Sequence, residues 1–187
     1  NSNFLFYFCY IFISLLIILT WLIIPNIILL IFLIVASYHF GKEDTVFSVK
    51  KNILLNETLY FFKGSSVIIA PLLFQRESTN EIFAILNFYV FDNSFFNDFS
   101  LIIFLLLSFL SNIYLSIGKS IDLKNIMILD YFSLIILNLF LTPVLAFTIY
   151  FCFLHSIRHS ITLIFELDKS FKPGLKKFIT KAIPLTF

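Results

Sequence analysis

The chain has 187 residues, 60% of them hydrophobic and only 13% charged, with a mean hydropathy of +1.00, whereas an ordinary soluble domain carries roughly 25% charged residues. A soluble core cannot hide that much apolar surface, so the composition excludes a water-soluble globular domain. The formal net charge is only +2, and no basic stripe points to nucleic acid. What remains is an all-α polytopic transmembrane helical bundle, a single membrane domain over residues 1–187 that lies in the lipid bilayer. With roughly 20 apolar residues per crossing there is room for about five to seven spans, and the pattern along the chain reads as about five to six. The many Phe residues are nearly equivalent to Leu in lipid and point to no function.

Phe4 to Ile24 carries no charge and is long enough to cross a bilayer, and Pro25-Asn26 breaks it before a second apolar run, Ile27 to Phe40. A cleavable signal peptide is disfavoured, because a basic start and a small-residue cleavage site are both missing. A polar segment follows with Lys42, Lys50 and Lys51. Ile53 to Phe74 is then mostly apolar but holds Glu57, Lys63 and Gly64, the pattern of a broken or interior-facing span. Arg76 to Glu81 reads as a polar loop. Ile82 to Phe91 is too short to cross, so it reads as an interfacial or re-entrant helix near 82–91.

Asp92 to Asp98 is an acidic loop, and Leu101 to Ile117 is a clean span. Lys119 and Lys124 mark the next loop, Ile126 to Leu141 is a span ending before Pro143, and Val144 to Leu167 is the last. The terminal segment carries Lys169, Lys172, Lys176, Lys177 and Lys181. By the positive-inside rule the three basic segments, including the Lys-rich C-terminal one, face the cytoplasm and the acidic loop faces outside, which requires that 82–91 not cross. In a bacterial or archaeal cell this is the inner (cytoplasmic) membrane. Cys9 and Cys152 sit in apolar stretches without CxxC spacing, the pattern of small buried apolar residues rather than a disulfide or zinc site. The chain opens on Asn1 and ends on Phe187, and we expect it to be truncated at both ends.

Three histidines fall at the ends of apolar runs, in Ser37-Tyr38-His39-Phe40-Gly41-Lys42-Glu43-Asp44 and in Tyr150-Phe151-Cys152-Phe153-Leu154-His155-Ser156-Ile157-Arg158-His159. Residues four apart on a helix share a face about 6 Å apart along the axis, so His155 and His159 are able to serve one ion. The glutamate of a helical zinc-protease motif is absent, since Ser156 occupies its place. The span topology puts His39 at a similar depth. A metal site competes here with isolated interior His residues bonded to backbone, and imidazole ligands alone do not choose among Zn, Cu, Fe and Ni. Haem is the weaker option, because His155 and His159 share a face and cannot bracket one porphyrin, although either of them opposite His39 would serve as an axial ligand.

These two motifs, together with the Lys63-Gly64 to Ala70-Pro71-Leu72-Leu73 segment, resemble the Brp/Blh family of bacterial and archaeal β-carotene 15,15′-dioxygenases, which supply retinal to rhodopsins. The likeness covers most of the chain. It implies a membrane oxidoreductase with Fe(2+) held mainly by His, cleaving the central double bond of β-carotene with O2 into two retinal molecules. His39, His155 and His159 match family positions proposed as iron ligands. Family members also carry an earlier Pro-His-Gly helix that supplies a further His, and a late Pro-His pair. Neither is present here, so the resemblance implies an internal piece that lacks part of its ligand set and is inactive alone.

Around these residues, Asp44 is a candidate to orient a ligand imidazole by accepting its second N–H, while Glu43 reads as a solvated loop charge. Arg158 can hold a carboxylate or a lipid phosphate, and snorkelling to the surface is its simpler role. Glu57 and Lys63 are expected to pair with each other or to line the site. The rivals are another His-ligated membrane lipid oxygenase or desaturase, which needs many more His, and a non-enzymatic transporter or assembly subunit.

Overall fold

The computed structural model describes residues 2–45, 53–89 and 96–186, and these are helical almost throughout. The order is α1 (Ser2–Ile23), α2 (Pro25–Glu43), α3 (Ile53–Phe74), α4 (Arg76–Ile85), α5 (Asp98–Ser116), α6 (Ile121–Phe140), α7 (Pro143–Ile149), a π-helical segment (Tyr150–Ser156), α8 (Ile157–Leu167) and α9 (Phe171–Thr186). Six stretches of the described residues are long and apolar enough to cross a membrane, the last running continuously from Pro143 to Leu167. The chain is an all-α polytopic bundle and a multi-pass membrane protein.

The span boundaries follow the chemistry read above. Pro25 opens α2 at its first turn, where the missing N–H costs nothing. Asn97 caps α5 by accepting the Ser100 N–H at 2.9 Å, and Pro143 opens α7. The short helix differs from expectation: α4 begins at Arg76, so polar residues assigned to a loop form its first turns. Ten residues rise only ~15 Å, too little to cross. Asn87, in the left-handed region at φ 54°, follows its end, a conformation Asn tolerates. Residues 90–95, with most of the expected acidic loop, lie outside the described residues, as do 46–52.

The broadest packing joins α3 to α2 and to α5. It is close because Ser37, Gly41 and Gly64 are small: a Cβ on Gly64 meets the Ser37 carbonyl oxygen at 1.9 Å, and one on Gly41 meets the Tyr60 carbonyl oxygen at 1.8 Å. Lipid tails are as apolar as Leu, so close backbone approach and interhelical hydrogen bonds hold such bundles together. Ser108 on α5 donates to the Lys63 carbonyl at 2.9 Å, Asn112 donates to the Met127 carbonyl at 2.7 Å, and Tyr131 on α6 donates to the Leu105 carbonyl at 2.9 Å. Arg76 ties the start of α4 to Asp98 at the start of α5.

The Lys-rich terminal segment forms α9, packed on α8 with Gly174 against the Ile164 backbone and Lys177 2.6 Å from Asp168. Cys9 and Cys152 are exposed rather than buried, which corrects the sequence reading. In a bilayer a thiol on the outer face of a span still sits among apolar groups, so its apolar surroundings do not distinguish interior from lipid.

Candidate metal centre

The site forms where the C-terminal end of α2 meets the π-helical segment. His39 and His155 have ring centroids 5.7 Å apart, and His155 and His159 have nearly parallel rings 6.5 Å apart. His155 therefore neighbours both other imidazoles, and this histidine row is drawn from two distant parts of the sequence. His155 is buried, while His39 and His159 are exposed. Among the described residues no three His, Cys, Asp or Glu side chains are gathered closely enough to enclose an ion.

Asp44 is the hub. Its Oδ1 lies 2.9 Å from His155 Nδ1 and its Oδ2 accepts the Tyr150 hydroxyl at 2.5 Å. An ionised carboxylate only accepts, so the Nδ1–H donates to Oδ1 and Nε2 is the ring nitrogen turned away from Asp44. Burial pushes the Asp44 carboxyl up, and the bonds from His155 and Tyr150, with the Lys63 charge, more than offset this and hold it below its usual value. Lys63, buried in α3, donates to the Asp44 carbonyl at 2.8 Å and to Thr45 Oγ1 at 3.0 Å, pinning the helix end that carries the hub.

The π-helical segment explains how Tyr150 and His155 reach one carboxylate. Five residues along an α-helix turn through ~140° beyond a full circle and face different ways, whereas a π turn, bonded five residues apart, brings them onto one side. Their rings are 6.2 Å apart. One turn later, His159 Nδ1 lies 3.0 Å from Glu43 Oε2. Glu43 is therefore no free loop charge, and neighbouring carboxylates at the end of α2 each face one imidazole of the other helix.

Arg158, between the two His in sequence, pairs with Asp130 on α6 at 2.6 Å, with its other terminal nitrogen 3.9 Å from the Asp44 oxygen that meets His155. It holds a carboxylate rather than snorkelling. Glu57 and Lys63 do not pair: the Tyr38 hydroxyl donates to Glu57, while Lys63 serves Asp44 and Thr45. Both residues sit on α3, but six positions apart they point to different sides of it. Phe40 stands edge-on to His155 with centroids 4.9 Å apart, and Phe151 lies along it at 5.7 Å, so an apolar aromatic shell surrounds the buried imidazole.

The donor chemistry fits a metal. Metal-bound His characteristically donates its other ring N–H to a carboxylate or carbonyl, which fixes tautomer and orientation, and His155 has this arrangement with Asp44. Sequence reasoning found His39, His155, His159 and Asp44. It missed Glu43, Tyr150 and Asp130, of which only Asp130 gave a signal, the cost of intramembrane charge; Lys63, expected to pair with Glu57 or to line the site, lies against Asp44.

Comparison with known proteins supplies independent information. The profile of the family described as beta-carotene 15,15'-dioxygenase matches residues 1–187, the whole chain. No curated protein and no solved structure matches it.

Proposed function

The chain belongs to the beta-carotene 15,15'-dioxygenase family, and from that premise we propose that it cleaves the central double bond of β-carotene with O2. The stoichiometry closes: one C40 hydrocarbon and one O2 give two C20 aldehydes, each retinal carrying one oxygen atom. The observation that carries this reading is the buried His155 whose Nδ1 is held by Asp44, in a chain that matches the family over its length. His39, His155 and His159 are the residues that would hold Fe(2+), which when bound would supply the activation of O2.

The protein's own groups do the rest. Asp44 and Glu43 orient two imidazoles through Nδ1, so that Nε2 is presented. Tyr150 bonds the Asp44 carboxylate and Lys63 its backbone carbonyl, and Asp130 holds the Arg158 guanidinium beside Asp44. Phe40 and Phe151 exclude water and offer apolar surface to a polyene arriving laterally from the bilayer. The Lys-rich α9 faces the cytoplasm of the inner membrane, by the positive-inside argument, and the retinal formed serves a retinal-binding rhodopsin.

Cells that make β-carotene and express the complete gene should lose their orange colour and accumulate retinal, because halving the conjugated chain moves absorption to shorter wavelength. Absence of any apocarotenoid from the complete, iron-loaded protein would remove this reading. Cysteine labelling at Lys172 with an impermeant reagent tests the orientation separately: reaction from outside intact cells contradicts a cytoplasmic α9.

A further inference from the structure

A cleft of about 390 Å3 reaches Phe40, the ring that separates it from His155. Leu29, Leu33, Ala36 and Phe40 form its α2 wall, at spacings of four, three and four that define one helix face. From Leu29 to Phe40 is a rise of ~16 Å. Phe40 and Phe147 line one end, and Phe40 is a ring that packs edge-on to His155. The other end is floored by α4, where Ile82 lines the cleft and Thr79 reaches back to the Pro71 carbonyl at 3.0 Å.

The cleft asks for a hydrocarbon. Two of its polar groups are already engaged: the Thr79 hydroxyl also contacts the Gln75 carbonyl at 2.7 Å, and Asn138 Nδ2 donates to the Leu134 carbonyl at 2.9 Å. A second cavity of about 310 Å3 is lined by Asp44, Asp130 and Arg158, which a polyene would leave unsolvated. Small-ligand pockets span roughly 300–1,000 Å3, so the first cleft has room for part of a long molecule and not for all of it.

We propose that this cleft receives one arm of the carotenoid, ring first, and that its depth from the α4 floor to Phe40 sets which double bond stands at the histidine row. The inference rests on the function proposed above. From the central bond to the terminal ring there are about nine bonds, each advancing ~1.2 Å as in an extended chain, plus ~4 Å for the ring, or ~15 Å in all. That matches the ~16 Å wall. The cleft is then a ruler: the inserted arm reaches the floor when the midpoint of a symmetric C40 substrate reaches His155, and the second arm stays outside it.

The test uses the complete protein in β-carotene-producing cells, with iron measured on each purified variant. Ala36→Phe and Val144→Phe, which narrow the cleft from opposite walls, should lower retinal formation at least tenfold at unchanged iron content. Val35→Phe, one residue away on the exposed face of α2, should leave it unchanged. Ile82→Trp raises the floor, and should replace two equal retinals by an unequal pair of apocarotenals, the shorter carrying the inserted ring. Wild-type retinal formation in both narrowing variants overturns the proposal. So does retinal as the sole product of Ile82→Trp at any rate. Loss of a co-purifying phospholipid from Ala36→Phe with retinal formation intact would identify the cleft as an acyl-chain site and overturn it as well. No apocarotenoid from the unmodified protein is a different result, which defeats the functional reading rather than the ruler.

Discussion

Helices α1 and α3 are both long enough to cross a bilayer, yet they do opposite work. No residue of the Leu5–Ile23 stretch is buried, whereas 44% of the most apolar window of α3 is. The more apolar helix is the outer one. In α1 the hydroxyls of Ser14 and Thr20 return to their own helix, which satisfies them without a partner. In α3 the polar and small residues meet other helices: Lys63 meets the end of α2, the carbonyl beneath it takes Ser108 from α5, and Gly64 lets the α2 backbone approach. Inside a membrane, polarity and small size mark the interior, because lipid solvates apolar groups and nothing else.

The sharpest way to break this contrast is at Gly64. Gly64→Ala places a methyl 1.9 Å from a backbone oxygen, so α2 must move away and every hydrogen bond of the histidine row is disturbed. The expected loss is at least ~3 kcal/mol, read as failure to purify a monodisperse protein. Leu16→Ala in α1 should behave as wild type. Normal yield and iron binding in Gly64→Ala contradict the close α2–α3 packing.

Lys63→Met comes next. It removes a buried cation and its hydrogen bonds to the Asp44 carbonyl and the Thr45 hydroxyl while keeping the stem, and should cost about 3 kcal/mol, with loss of the Asp44-dependent orientation of His155. A denaturation midpoint equal to wild type in detergent contradicts that role. Arg158→Ala should cost less, about 2 kcal/mol, since it strands Asp130 but leaves both imidazoles with their carboxylates. Iron should be largely retained, and its complete loss would show that Arg158 acts on the histidines directly.

The smallest effect belongs to the tail. Lys177 holds the Asp168 carboxyl below its usual range. A depressed folded-state pKa contributes stability that is fully present above the unfolded carboxylate value and vanishes as pH falls through the lower folded one. Attachment of α9 should therefore be insensitive to pH near neutrality and loosen only in acid. Hydrogen exchange of Phe171–Thr186 checks this: equal protection of Asp168→Asn and wild type is expected in acid, with a slight deficit in the variant near neutral pH.

These effects also show what the sequence can carry. Apolar length located the six spans, and the four-residue spacing of His155 and His159, with span topology bringing His39 near, located the row. Asp44 was legible as a carboxylate next to a helix end that bears a histidine. Glu43 was not, because whether a charge beside Asp44 meets water or an imidazole depends on which way α2 ends against α8. Lys63 was legible as costly but not as the partner of a carbonyl 19 residues away. The π-helical segment has no sequence signature in Tyr150–Ser156, although it is what turns Tyr150 and His155 to one carboxylate. Exposure of Cys9 and Cys152 was hidden for the reason that makes α1 the outer helix: apolar surroundings mean either interior or lipid.

The central claim is that His155, oriented by Asp44, belongs to the iron site of a carotenoid-cleaving enzyme. The most direct measurement is bound iron and retinal formation, taken together on the complete protein, for wild type, His155→Ala and Leu16→Ala. Removing a ligand removes a metal bond, so His155→Ala should lose most of its iron and all retinal formation while Leu16→Ala keeps both. Wild-type iron and wild-type retinal in His155→Ala would contradict the assignment.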